Sequence, residues 1–438
     1  MIALQEMNLA YYYPIVYWNT ACLAVNSGSA DEDQLKEQAT DYGKIAAAIG
    51  GMKSRGIHIE LPKINESNFS FTPDVENNRI LFGLKGINKI GTDLCSDIIN
   101  KRPYTSLEDF LKKVKINKDK VISLIKAGCF DNIEPGTRLD IMNRYINSIC
   151  GKKKRVTLQN VQMLANYKLF PKELDFEIQV FFFNKYIKKH KKEIYYKLDQ
   201  RALNFIEKHF SDLITGINGD VLMEQKDWDK KYQDIMNTVR DYLKTNQQEM
   251  LDKLNQQIFL EEWEKYAVGT YSEWEMDAVS YYDHEHELVN LDNSKYGIVS
   301  FDSLPEEPRI VNTYNKNGRV YQIYELTRIA GTVLDKNKLS NIVTLLTTDG
   351  VVHVRSYKNQ FSFYDKQMSQ IQPDGKKKVV EKSWFTRGNK LIVTGVRKGH
   401  TFIPKVYKNS VYKDIFTLIT SIDENGTITT KTQRESGD

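Results

Sequence analysis

Cysteine is scarce: Cys22, Cys95, Cys129 and Cys150 lie far apart and form no C-x-x-C pair. This excludes a disulfide framework or zinc ribbon legible in the sequence and favours reduced thiols. Histidine is almost as rare, with 7 in 438 residues, and no Ser/His/Asp or Cys/His set has a workable spacing. No glycine string of the P-loop or dinucleotide-binding kind occurs. No apolar run comes near the roughly eighteen residues of a membrane span, and MIALQEMNLAYYYPIVYW has neither a basic n-region nor a small-residue cleavage site. A cytoplasmic protein without membrane contact is expected. Asp31-Glu32-Asp33 reads as a helix cap in a loop, and His284-Glu285-His286, beside Asp283, sits in an acidic helical stretch where a structural role is the plainer reading. No catalytic residue, metal or cofactor is assigned to this chain.

What the sequence does have is segregated charge. Lys85 to Lys126 holds ten basic and five acidic residues, and Arg319 to Lys413 eighteen basic and six acidic. Between them, Gly216 to Ile310 holds nine basic and twenty-one acidic residues. Two basic modules around an acidic spacer suit a polyanionic partner, although acidic and basic domains also pair with each other.

Apolar spacing predicts a helix through Tyr13–Val25 and a second from a cap at Ser29–Asp33 to Gly50-Gly51. Short strands follow at Ile57–Leu61 and Arg79–Leu84, then short helices broken by glycines and Arg102-Pro103. Residues 226–266 read as one long amphipathic helix. From Tyr321 the period changes to two, and five strands are expected: Tyr324–Leu334, Asn341–Thr347, Gly350–Ser356, Asn389–Lys398 and His400–Tyr407. A helix near Asn359–Gln370 falls between the third and fourth. That order is the one of an OB-fold, a small barrel that often binds single strands.

Two segments carry binding chemistry. Gly86 to Gly91 is a glycine turn opening a helix, which would offer free backbone N–H groups and the positive helix end to a phosphate. Lys85, Gly86, Lys89 and Gly91 are its candidates, and Asn117, Lys118, Lys120 and Gly128 mark a divergent second copy, as in tandem helix-hairpin-helix units. Such pairs grip duplex backbone without reading sequence. In the barrel, Lys336, Lys338, Arg355, Tyr357, Lys358, Phe361, Lys390, Arg397 and Lys398 are the candidates for a single strand; Phe363, Tyr364, Trp384 and Phe385 are further stacking candidates, and many of these aromatics are expected in barrel or helix core.

Pro62–Ser67 followed by Phe69 and Phe71, then Arg79–Ile87 (RILFGLKGI) and Val121–Asp131 (VISLIKAGCFD), resemble in order the motifs of the bacterial replicative DNA polymerase III alpha subunit. Ala10, Tyr13-Pro14 and Tyr17–Thr20 look like that family's fingers helices, most similar to phage-encoded members, and Trp263–Gly269 and His284–Leu288 look like its joining segment. Lys89 stands where the family pattern has glycine. The resemblance implies a multidomain α+β chain: the end of a helical fingers domain (1–80), a tandem helix-hairpin-helix region (81–135), a mixed, helical, acidic domain (136–310), a five-stranded OB-fold (318–420) and a flexible tail (421–438). It also implies that the catalytic aspartates and their Mg2+ belong to a palm on another polypeptide, as from a split gene. The expected function is binding of primer–template and single-stranded template for DNA synthesis with that partner; a non-catalytic replication accessory protein is the alternative. A sliding clamp is a further partner, for which Gln179–Phe183 is a loose motif match and buried strand the plainer reading.

Overall fold

The computed structural model of the protein describes residues 2–28, 40–189, 194–217, 220–371, 377–423 and 425–434, so the expected cap at Ser29–Asp33 lies outside it. The described chain falls into two compact units, residues 143–268 and the remainder (1–142 with 269–438). The acidic stretch is therefore shared between units, and residues 269–309 belong with the barrel. The reason is burial: Leu288 and Leu291 pack with Ala330, Ile392 and Ile419 of the barrel wall.

In the larger unit, Pro14–Tyr17 runs through a wider π-helical stretch, Trp18–Ala24, into Val25–Ser27, and ends at left-handed Gly28. Helix Tyr42–Lys53 is capped by Asp41, whose carboxylate accepts the Lys44 N–H, and buries Ile45, Ala46, Ile49 and Met52 at helical spacing. Strands His58–Glu60 and Thr72–Asp74 flank Arg79–Leu81, which is parallel to the first and antiparallel to the second. Arg79 ties the sheet by reaching both Glu60 and Asp74 at 2.6 Å. Helices Thr92–Asn100, Leu107–Lys113 and Lys118–Lys126 follow, closed over Phe110, Phe130 and Tyr104.

The barrel has strands Thr327–Asn337, Ile342–Leu346, Val351–Arg355, Lys390–Lys398 and Thr401–Pro404, with helix Lys358–Asp365 between the third and fourth. The first strand pairs with both the second and the fourth, and the third runs parallel to the fifth, so the sheet closes in the order 1-2-3-5-4. This is the OB-fold. Its centre holds Val343, Leu345, Val354, Trp384, Phe385, Phe402 and Phe416; each such side chain is worth about 2–3 kcal/mol of burial.

Two boundaries differ from expectation. Arg319–Tyr324 pairs with Ile310–Lys316 as a separate hairpin, and the first barrel strand starts at Thr327. Asn317 and Gly318 both take positive φ, which is the two-residue turn that favours Asn-Gly. The described residues of the expected tail are tied down: Phe416–Ile422 pairs with both the fourth barrel strand and Ile428–Lys431, and the Arg434 guanidinium is fixed on Glu381 at 2.9 Å, while 435–438 lie outside the described residues.

In the smaller unit, the single helix expected over 226–266 is two, Gln225–Thr245 and Gln247–Tyr266, broken at Asn246 where ψ opens to 26°. Phe181–Phe183 lies in helix Asp175–Asn184 rather than in a strand, because Val180 and its neighbours fill a helical core with Trp228 and Ile206. A four-stranded sheet orders Ile187–Lys189, Tyr195–Leu198, Asp220–Glu224 and Ile214–Ile217.

Candidate nucleic-acid interface

The first hairpin is held rigidly on its inner side. Asn88 gives its N–H to Ala278 O (2.8 Å) and its side-chain amide to Asp277 O (3.1 Å), while its carbonyl accepts from the Ser123 hydroxyl (2.6 Å). Beyond it the chain faces outward. Lys89 is exposed with φ 69°, and Gly91 caps helix Thr92–Asn100 with no side-chain acceptor and open space around it. The first-turn N–H groups are thus available to an anion, and Lys89 adds a point charge beside them. A lysine in the left-handed region costs about 1–2 kcal/mol relative to glycine.

Lys85 and Gly86 lie elsewhere. Both are buried; the Gly86 N–H is spent on Gly83 O, and a Cβ there would come within 2.8 Å of Phe71. They shape the turn from beneath and do not face a ligand. The second copy differs in the opposite sense. The Asn117 side chain accepts the Lys120 N–H (3.1 Å), so helix Lys118–Lys126 is already capped by its own chain. Lys118 is exposed and Lys120 half-buried at that end. Gly128 follows this helix instead of opening it: it is buried, has φ 81°, and lies under the Arg138 guanidinium. A phosphate cannot reach it, because the contact it makes is core.

Arg138 fastens this region to helix Tyr271–Ala278. Its guanidinium meets Asp131 (2.7 Å) and the fully buried Glu275 (3.0 Å). Burial would lower the Arg138 pKa, but the two carboxylates outweigh that and hold it above its usual value. Glu275 also accepts the N–H groups of Asp283 (2.9 Å) and His284 (3.1 Å) and faces His284 Nδ1 at 2.7 Å. Glu275, Asp283 and His284 are the one three-residue group among the described residues with metal-ligand spacing. Glu275 already has four partners here, namely Arg138, the Asp283 and His284 N–H groups and the His284 ring, which makes it a structural hub.

On the barrel, the candidates separate into three groups. Arg355, Tyr357, Lys358 and Lys398 are exposed. Lys336 and Lys338 both reach Asp365, whose carboxyl burial would raise but whose bonds to Lys336, Ser383 and Lys338 hold low. The other three are structural. Phe361 is 3% exposed in the barrel core, and Arg397 is pinned to the carbonyls of Gly399, Phe301 and Leu304. Lys390 is half-buried and held between Glu287 (2.8 Å) and Glu273 (2.9 Å).

A groove of about 750 Å³ opens beside Lys336 and Lys338, and Lys358, Lys366 and Lys382 line it too. Lys366 and Lys382 were not singled out from the sequence; they belong to the basic module counted there, but nothing in their local pattern distinguishes them from solvated charge. Arg387, also not foreseen, lies over the Tyr42 ring at 4.9 Å. Among the described residues, no helix is long and apolar enough to cross a membrane.

Comparison with known proteins agrees with this geometry. Residues 56–139 match the helix-hairpin-helix motif family. Over 451 aligned residues the chain is 43% identical to a probable DNA polymerase, YorL, of Bacillus subtilis (strain 168), and equally to the DNA-directed DNA polymerase of Bacillus phage SPbeta. Each alignment covers 99% of this chain but 34% of the relative, so the chain spans about a third of the length of those proteins. The DNA polymerase III subunit alpha of Aquifex aeolicus is 29% identical over 244 residues, 54% of this chain and 19% of that protein.

Proposed function

We infer, from the premise that the chain belongs to the C-family DNA polymerases and matches the C-terminal part of their alpha subunit, that it grips DNA for a polymerase active centre carried on another polypeptide. The observation that carries the reading is that one compact unit presents both an open helix N-terminus with Lys89 beside it and a lysine-lined groove on an OB barrel. The first suits the phosphates of a duplex, and the second suits a single strand. The chain would steady primer–template behind the active centre and guide unpaired template, while the partner's aspartates hold the Mg2+ ions that drive phosphoryl transfer.

What this chain's residues do is positional. Asn88 and Ser123 fix the hairpin so that the N–H groups of Gly91, Thr92 and Asp93 keep one direction, and Asp365 fixes Lys336 and Lys338 on the groove wall. Preorganisation of this kind spares the entropy of ordering donors on binding.

The test is reconstitution. The chain, mixed with a polypeptide carrying the matching palm of a C-family relative, should extend a primer on a template where neither does alone. A stable mixture that extends nothing, although the chain binds DNA, would leave the non-catalytic accessory reading in its place.

A further inference from the structure

OB barrels commonly bind oligonucleotides across the outer face of their second and third strands. Here part of that face is already occupied. Leu346 and Val351, at the turn joining those strands, pack with Leu334 of the first strand against Ala46, Met276 and Tyr282. Helix Tyr42–Lys53 lies so close that a Cβ on Gly50 would come within 2.6 Å of Val351. His286 closes the same end, with Nε2 3.0 Å from Leu346 O.

The open charge lies at another edge. Between helix Lys358–Asp365 and the fourth strand the chain inserts an antiparallel ribbon, Met368–Ile371 with Lys377–Glu381. Its base is fixed: Glu381 takes the Trp384 indole N–H (3.0 Å), Lys431 (2.9 Å) and Arg434 (2.9 Å). Val379 of the ribbon contributes apolar surface to the groove, and five lysines face one aspartate, a surplus of four positive charges. Lys358, Lys366 and Lys382 have no ion-pair partner among the described residues. A second depression shares Lys336 and Thr386 with the groove and continues to Arg387 and Tyr42. The Tyr42 hydroxyl in turn donates to Ile87 O (3.4 Å), on the first hairpin.

We propose that single-stranded nucleic acid threads the lysine groove between helix Lys358–Asp365 and the inserted ribbon, and leaves past Arg387 toward the Lys89 hairpin, instead of crossing the outer face of strands two and three. The proposal rests on the DNA-binding reading above and assigns its single-strand track. Phosphates lie against Lys358, Lys366 and Lys382, and the exposed Val379 side chain takes the apolar side of sugar or base. The route joins the single-strand site to the duplex site past Arg387, where Asp41 and Asp335 also line the depression.

The experiment uses the full chain with fluorescein-labelled dT20 and a labelled blunt duplex, read by anisotropy across a salt series. The triple variant K358Q/K366Q/K382Q should lose at least about tenfold in dT20 affinity near 0.1 M salt. Its log–log salt slope should flatten by about 2, as for three lost single-strand phosphate contacts. Duplex affinity should stay within about twofold, and R355Q, on the outer face, should leave dT20 binding unchanged. If the triple variant, with an unaltered melting temperature, binds dT20 as wild type does while R355Q weakens it, the track is wrong and the DNA-binding function stands. If the wild-type chain binds neither probe, the function itself fails.

Discussion

Replacing Lys390 with methionine should destabilise the larger unit by about 3 kcal/mol and leave DNA affinity unchanged. Methionine keeps the stem and removes the charge. The Lys390 ammonium is 2.9 Å from Glu273 and 2.8 Å from Glu287, with its own side chain 16% exposed, Glu287 11% and Glu273 43%. At an effective dielectric of about 20, each contact is worth roughly 6 kcal/mol of attraction before desolvation is subtracted. Breaking a buried pair by removing one partner typically costs about 3–5 kcal/mol, and the exposure of Glu273 puts this site at the low end. The variant should also acquire a distinctive pH dependence. In the wild type, burial raises the Glu287 carboxyl, and Lys390 only partly offsets it; for Glu273 burial also raises, but the lysine wins and the group stays low. Glu273 thus adds stability above its unfolded pKa that is lost as pH falls through its lower folded value. Without the lysine both carboxylates prefer to be neutral, so the deficit of the variant should shrink from pH 8 to pH 5. Urea melts at the two pH values, with unchanged m, measure this. The reasoning is refuted if the variant melts like wild type and dT20 affinity falls by tenfold, for Lys390 would then be a DNA ligand and not a buried brace.

Glu275→Ala strips Arg138 of its most buried partner and should cost about 3–5 kcal/mol in chemical denaturation. A cost below 1 kcal/mol would show that the helix-hairpin-helix region does not depend on this tie. Lys89→Gly removes a left-handed lysine and should stabilise the fold by about 1 kcal/mol while weakening duplex binding and flattening its salt slope by about 1; a slope that does not change would mean that Lys89 touches no phosphate. His286, half-buried against Leu346 O, has its pKa pushed down to about 4, chiefly by burial. Stability should therefore fall by up to about 3 kcal/mol between pH 6.5 and 4, and His286→Gln should flatten that part of the curve. Phe416→Ala, in the barrel centre, should cost about 3–5 kcal/mol.

The barrel was legible because its strands alternate: each inward position of Val343, Leu345, Val352 and Val354 is apolar, and period two survives without any tertiary information. The Asn317-Gly318 turn was written in the sequence as well, yet the run of Tyr321–Tyr324 into Thr327 hid the strand boundary behind it. Helix-to-strand errors arose where period cannot decide, as in Phe181–Phe183, which is apolar on every face. Candidate lysines were harder. Lys390 and Lys382 look alike in sequence; only the tertiary approach of Glu273 and Glu287 makes the first a buried brace and leaves the second in the groove. Gly128 misled for a related reason, since a glycine that ends one helix and a glycine that opens another carry the same letter. Asn117, expected at a phosphate site, instead caps helix Lys118–Lys126 through its own side chain, a role its local chemistry allows.

The claim that the chain holds nucleic acid by its backbone is tested most directly by equilibrium binding of the unmodified chain to a primer–template with a single-stranded overhang, over 50 to 300 mM salt. Contacts from the hairpin and groove together predict affinity falling with a log–log slope of about −4 or steeper, with no preference for base sequence. Binding that is absent at the lowest salt, or whose slope is shallower than about −1, would contradict it.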